Sequence, residues 1–281
     1  MNSLFQFFKV KLFRDFRLLS PPLFYLILVQ TFFIACSAIM IFFDPRKLST
    51  GASPWLKPII FDSSVIFYAA SMIFVLSRLT KPVNLGISKQ VSASLFIVTS
   101  FIFIQAIRGV RTIFSMDDPI NSTIFGIFGT AIAWNTYLLI RTARIYADPD
   151  SPHVLQIPVE LRQGIKLGLF SIVIGSLLGH LIYFASPIAN LGLRLPEVFG
   201  RLPSINFQSR IGSLRAAHSL GLHGLQILMI LGAWLAFRVP RLSSNAKLKL
   251  LNAVFLAIML VIFGIVIWAV WGIPFASVHK P

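Results

Sequence analysis

The chain is short of charge and of sulfur. Only 12% of its 281 residues are charged and only 9 are acidic, where soluble globular proteins carry about 25% charged residues. That scarcity excludes an ordinary water-soluble domain. Cys36 is the only cysteine, which excludes an intramolecular disulfide and a thiolate metal cluster. Internal repeats, low-complexity runs and nucleic-acid-binding motifs are also missing. The net charge of +16 is spread over every loop instead of gathered on one face, so it reads as lipid-headgroup contact and not as a nucleic-acid surface.

What the chain has in quantity is apolar sequence, 56% of all residues, in blocks of roughly 20, the length that crosses ~30 Å of hydrocarbon. The pattern predicts an all-α, polytopic transmembrane helix bundle of about seven spans, read as one transmembrane domain over 1–281. The spans fall at about 22–43, 59–78, 91–108, 123–140, 166–187, 214–237 and 248–272. Phe5, Phe8, Leu12, Phe16 and Leu19 recur at helical spacing with Lys11, Arg14 and Arg17 opposite. Residues 1–20 therefore read as an interfacial amphipathic helix.

Most of the 25 basic residues, from Lys9 and Lys11 through Arg141, Arg144 and Arg162 to Lys247 and Lys249, fall on the N-terminal side of the bilayer in this scheme. The bias predicts a cytoplasmic N-terminus in a cell membrane. Phe33-Ile34-Ala35-Cys36 resembles a lipoprotein box with Phe where a Leu-like residue is usual; a mid-span cysteine is the reading kept. The loop 188–213 is rich in Gly and Pro yet holds Leu191, Leu193, Leu195, Val198 and Phe199. An apolar loop of that length is expected to fold over the outer mouth of the bundle.

The sixth span carries the densest polar signal: Arg215, His218, His223 and Gln226. An Arg at mid-bilayer costs roughly 2.5–3.5 kcal/mol on insertion scales, so such groups normally face protein, water or a ligand. At 100° per residue, Gln226 lies about 20° from Arg215, and the two histidines flank them at roughly 60° and 80°. Ala217, Gly221 and Gly224 occupy the opposite side, where small residues let helices approach. In the fifth span Gly164, Gly168, Ser171, Gly175 and Gly179 form a small-residue seam, with Ser176, His180 and Tyr183 on another face. Asp62 and Gln105 complete a set of polar groups expected in the outer half of the bundle. Asp117, Asp118 and Glu160 read as solvated loop charges.

Gly212-Ser213-Leu214-Arg215-x-x-His218-x-x-Gly221-x-His223-x-x-Gln226 resembles a pattern in a family of bacterial integral membrane proteins without assigned activity. It departs from that pattern at Ser213 and Ser219, where Asp and Phe are common. The resemblance covers about 15 residues and implies a bacterial inner-membrane protein with a shared polar element, not a mechanism.

No reaction is named by the sequence. The leading expectation is a site for haem or a divalent metal at His180, His218 and His223, with Arg215, Gln226 and Asp62 binding ligand. The alternatives are a small-solute or ion transporter, a non-catalytic scaffold subunit or homo-oligomer, and a metal-dependent intramembrane hydrolase built on Asp62, His180, His218 and His223. The competing structural reading is that each histidine simply bonds a neighbouring helix, worth about 0.6 kcal/mol.

Overall fold

The computed structural model describes residues 12–48, 51–110, 118–190 and 214–271, without the side chains of 12–14, 184–190 and 269–271. Residues 191–213 of the 188–213 loop, residues 1–11 of the amphipathic segment and Asp117, on each of which an expectation rests, lie outside the described residues. Eight helices are described: α1 (Leu12–Leu19), α2 (Pro21–Phe43), α3 (Leu56–Leu76), α4 (Lys81–Arg108), α5 (Pro119–Ala147), α6 (Val159–Asn190), α7 (Leu214–Arg238) and α8 (Ser244–Trp271). From α2 to α8, seven are long and apolar enough to cross a membrane. The protein is an all-α polytopic membrane protein. Its exposed surface explains the composition: Phe32, Phe42, Phe67, Ile230, Leu260 and Phe263 all stand open, which suits lipid and not water.

The third span begins ten residues before its expected start. Asn84, Ser88, Lys89 and Gln90 make that stretch look like a loop, yet Pro82 suits the first turn of a helix. Asn84 and Ser88 are buried on the inward face. At the other end Gly109 takes the left-handed conformation, φ 70°, and its N–H closes onto the Ala106 carbonyl at 3.0 Å, the usual way to stop a helix.

The chain divides into two compact units, one of Met1–Leu138 with Asp148–Ile157, the other of Leu139–Ala147 with Pro158–Pro281. In the first, α2, α3 and α4 pack together. Each shows an inward stripe at three- and four-residue spacing, such as Pro58, Asp62, Val65, Ala69, Met72 and Leu76 on α3. Asn84 Nδ2 donates to the Leu19 carbonyl at 3.0 Å, and Gln30 Nε2 to Thr99 Oγ1 at 3.1 Å. These two bonds set α2 and α4 parallel and fix their register. The turn after α3 meets the 148–157 segment in a bridge between Leu79 and Val154, with Thr80 N–H on the His153 carbonyl at 2.8 Å. The start of α2, the α3–α4 turn and residues 148–157 thus share one face of the unit, as alternating spans require.

The opposite end of α2 is closed by Asp44. Its carboxylate accepts three bonds from the Arg46 guanidinium, at 2.8, 3.1 and 2.7 Å, and one from Trp55 Nε1 at 2.7 Å. These donors, Arg46 first, hold the Asp44 carboxyl well below the usual carboxylate range. The Trp55 ring meets Phe103, which stacks on Phe33 at 4.6 Å. The end of α4 is tied to the start of α5 by Gln105, Arg108, Asn121 and Asp118. Asp118, expected as a solvated loop charge, keeps its side chain 42% exposed and also accepts from the Asn121 backbone N–H at 2.8 Å, capping α5.

In the second unit α6, α7 and α8 pack on one another. The small-residue seam of α6 is the α6–α7 contact. A Cβ added at Gly175 would lie 2.7 Å from Leu222 N and 2.8 Å from Gly221 C; one at Gly168 would lie 2.9 Å from Leu225 Cα. At Gly164 it would strike the Leu228 carbonyl. The contact is therefore backbone against backbone. Glu160 is a correction to the sequence reading. It is 5% exposed, accepts from Ser244 Oγ at 2.8 Å and pairs with Lys247 at 3.7 Å. Its partners sit on α8, 84 residues or more away in sequence, where no local pattern could reveal them.

Candidate functional site

The residues singled out by sequence divide between the two units. His180, Arg215, His218, His223 and Gln226 belong to the second, Asp62 to the first.

In the second unit, α7 turns its small side inward: Ala217, Gly221 and Gly224 are buried with Leu225 and Leu228. Arg215 and His223, opposite them, lie on the exposed side, and Gln226 is half-buried. His218 falls on the border of the contact face. Its ring fills the notch left by Gly179, where an added Cβ would lie 2.7 Å from Cε1. Its Nδ1 bonds the Gly175 carbonyl at 2.7 Å; since a carbonyl only accepts, that nitrogen carries the proton. His180 bonds the Ser176 carbonyl of its own helix at 2.8 Å, and it follows directly on Gly179, against which the His218 ring packs. The structure therefore sets His180 one residue from the notch that His218 fills.

What that pair can do is bounded by the packing around it. Helices whose backbones touch at Gly175 and Gly221 leave no slot for a flat macrocycle along the seam. Among the described residues, no group of three or more His, Cys, Asp or Glu side chains comes together to hold a metal ion. The bond from His218 to Gly175 joins two helices with a polar contact where lipid offers none.

Asp62 is different. It sits six residues into α3 on the inward stripe, 0% exposed, and neither carboxylate oxygen has a hydrogen-bond partner among the described residues. Such a group loses hydration without replacement, at a cost on the order of several kcal/mol if ionised. Gln30 and Ser37, on the buried stripe of α2, are also 0% exposed, and Gln30 Oε1 and Ser37 Oγ are unpartnered. Sequence reasoning missed both. Their signal was present, as two polar residues seven apart on one face of an otherwise apolar span. In the same unit, Tyr68 donates to Asn135 Oδ1 at 3.1 Å, and Asn135 to Ser94 Oγ at 3.3 Å. That polar cluster, unlike Asp62, is matched.

Fold and site together define a polytopic membrane protein with a buried, unmatched carboxylate inside a span. No family model, curated protein or solved structure matches the chain.

Proposed function

We propose that the protein is an ion transporter that binds a proton or a small monovalent cation at Asp62 and passes it across the bilayer. One observation carries this: among the described residues, Asp62 is the carboxylate that the fold buries completely and leaves without a donor. An intramembrane carboxylate is costly and is normally matched by a charge or a donor. Here the missing positive partner is supplied by the transported ion, which neutralises the group when bound and leaves it reactive when released. The test is flux in proteoliposomes under an imposed potential, with an internal pH- or cation-sensitive dye. The wild-type protein is expected to conduct and Asp62→Asn, which keeps shape but cannot ionise, to lose at least tenfold. Equal flux in the two proteins overturns the reading.

A second reading keeps the haem or divalent-metal site at His180, His218 and His223, with Arg215 and Gln226 as ligand contacts. The seating of the His218 ring against Gly179, one residue from His180, supports it. The helix contact and the engaged Nδ1 of His218 count against it. A cofactor band or stoichiometric metal in the purified protein is what this reading requires.

We also propose the orientation: N-terminus cytoplasmic, in a bacterial inner membrane. It rests on the distribution of basic residues and on the family resemblance of the Arg215–Gln226 segment. Reporter fusions after residues 85 and 200 are expected to give cytoplasmic and external signals respectively. Signals on the same side for both, or an external signal at 85, reject the orientation.

A further inference from the structure

Every buried side-chain oxygen that lacks a hydrogen-bond partner among the described residues lies in the first unit: on Ser20, Gln30, Ser37, Asp62, Asn84 and Ser92. Serine and threonine in a helix ordinarily satisfy themselves on the carbonyl one turn back. Here Ser63, Ser71 and Thr99 do so, at 2.7, 2.8 and 2.9 Å. Ser20, Ser37 and Ser92 do not, and so keep hydroxyls available to another partner.

Ordered by helical rise, the unmatched oxygens fall at successive depths that trace a line along α2 and α4. The Asn84–Leu19 and Gln30–Thr99 bonds place the starts of α2 and α4 together and Gln30 beside Thr99. From Ser20 and Asn84 the line runs up α4 through Ser88, which is 0% exposed, to Ser92 in steps of about 6 Å. It then reaches Thr99 and Gln30 after about 10 Å, and Ser37 on α2 after about 10 Å more. Ser37 stands six residues before the end of α2 and Asp62 six residues into the antiparallel α3. Both are therefore about 9 Å from that end of the unit.

We propose that this line is the route by which a proton travels between Asp62 and the face that bears the start of α2. The proposal rests on the reading of Asp62 as an ion site and narrows the ion to a proton. A cation stripped of water needs several oxygens around it at each stop, and stations about 6–10 Å apart, one or two oxygens each, cannot supply them. A proton needs only a chain of waters hydrogen-bonded between such stations. In each passage a water at the α2 face gives up a proton through that chain. The Asp62 carboxylate takes it as a carboxylic acid and later returns it to water at the nearer end, so one positive charge crosses and the carboxylate is regenerated.

The test is proton flux in proteoliposomes with symmetric sodium or potassium salts, for wild type, Asp62→Asn, Ser37→Ala and Ser92→Val, with lipid-facing Thr31→Val as control. Wild type and Thr31→Val are expected to conduct equally in either salt, with Asp62→Asn silent and the two serine variants at least tenfold slower. Ser37→Thr and Ser92→Thr, which keep the hydroxyl, are expected to restore flux, separating a lost station from a damaged fold. An infrared readout is independent of flux: the carboxylic-acid band that Asp62→Asn removes is expected to exchange more slowly into heavy water in the serine variants. Loss of flux in Asp62→Asn with full flux and exchange in both serine variants overturns the route and leaves the Asp62 reading standing. Flux carried by sodium or potassium, and not by protons, overturns the proton assignment. Flux unchanged in Asp62→Asn, or absent from wild type, overturns both.

Discussion

Gly175→Leu is expected to be the most damaging single change in the second unit. An added Cβ alone would lie 2.7 Å from a backbone nitrogen and 2.8 Å from a backbone carbon of α7. Backbone cannot swing aside as a side chain can, so the two helices must separate. Separation undoes the rest of the seam, because Gly164, Gly168 and Gly224 make equally close approaches, and it breaks the bonds from His218 to the Gly175 carbonyl and from Ser171 to the Gly221 carbonyl. Overpacking typically costs 1–3 kcal/mol where a core can adjust; here about 3 kcal/mol or more is expected. The measurement is thermal unfolding in detergent. Leu177→Ile, on the open side of the same helix, is the comparison and is expected to change little. Equal melting temperatures would mean that this seam does not hold α6 to α7.

Asp62→Val is expected to do the reverse, raising stability while abolishing transport. A buried polar group without a partner costs about 1–3 kcal/mol, and valine, of similar size and wholly apolar, removes that cost among Val65, Ala69 and Pro58 on the same stripe. A gain of 1 kcal/mol corresponds to roughly 2–4 °C in melting temperature for a chain of about this size. Asp62→Asn keeps an unmatched polar group and is expected to gain little. A fall in melting temperature for Asp62→Val would show that Asp62 holds the fold together, and the transport reading would lose its foundation. Stability given up at one position is what a functional carboxylate leaves behind.

The sequence determined the class and the skeleton. Spans of about 20 apolar residues can satisfy their backbone only as helices in lipid, and the described residues hold seven such helices. It also determined which faces meet on α6 and α7, since glycines at helical spacing mark a close approach wherever they occur. The start of α4 was misread because Asn84, Ser88 and Gln90 lower local hydropathy, although the first two are buried within a helix.

What only the tertiary structure decided is which polar residues find partners. Periodicity gives the face on which a side chain lies, not the helix that comes to meet it. Glu160 is matched by Lys247 and Ser244 across 84 residues or more of chain, and His218 by the Gly175 carbonyl across 43. Asp62, Ser37 and Ser92 carry buried oxygens that meet no such group among the described residues. The histidines drew attention in the sequence because polar residues cluster visibly on one span, whereas Asp62 stood alone. Packing reversed that emphasis, because the cost of a buried charge depends on its neighbours, and neighbours are set only when the helices assemble.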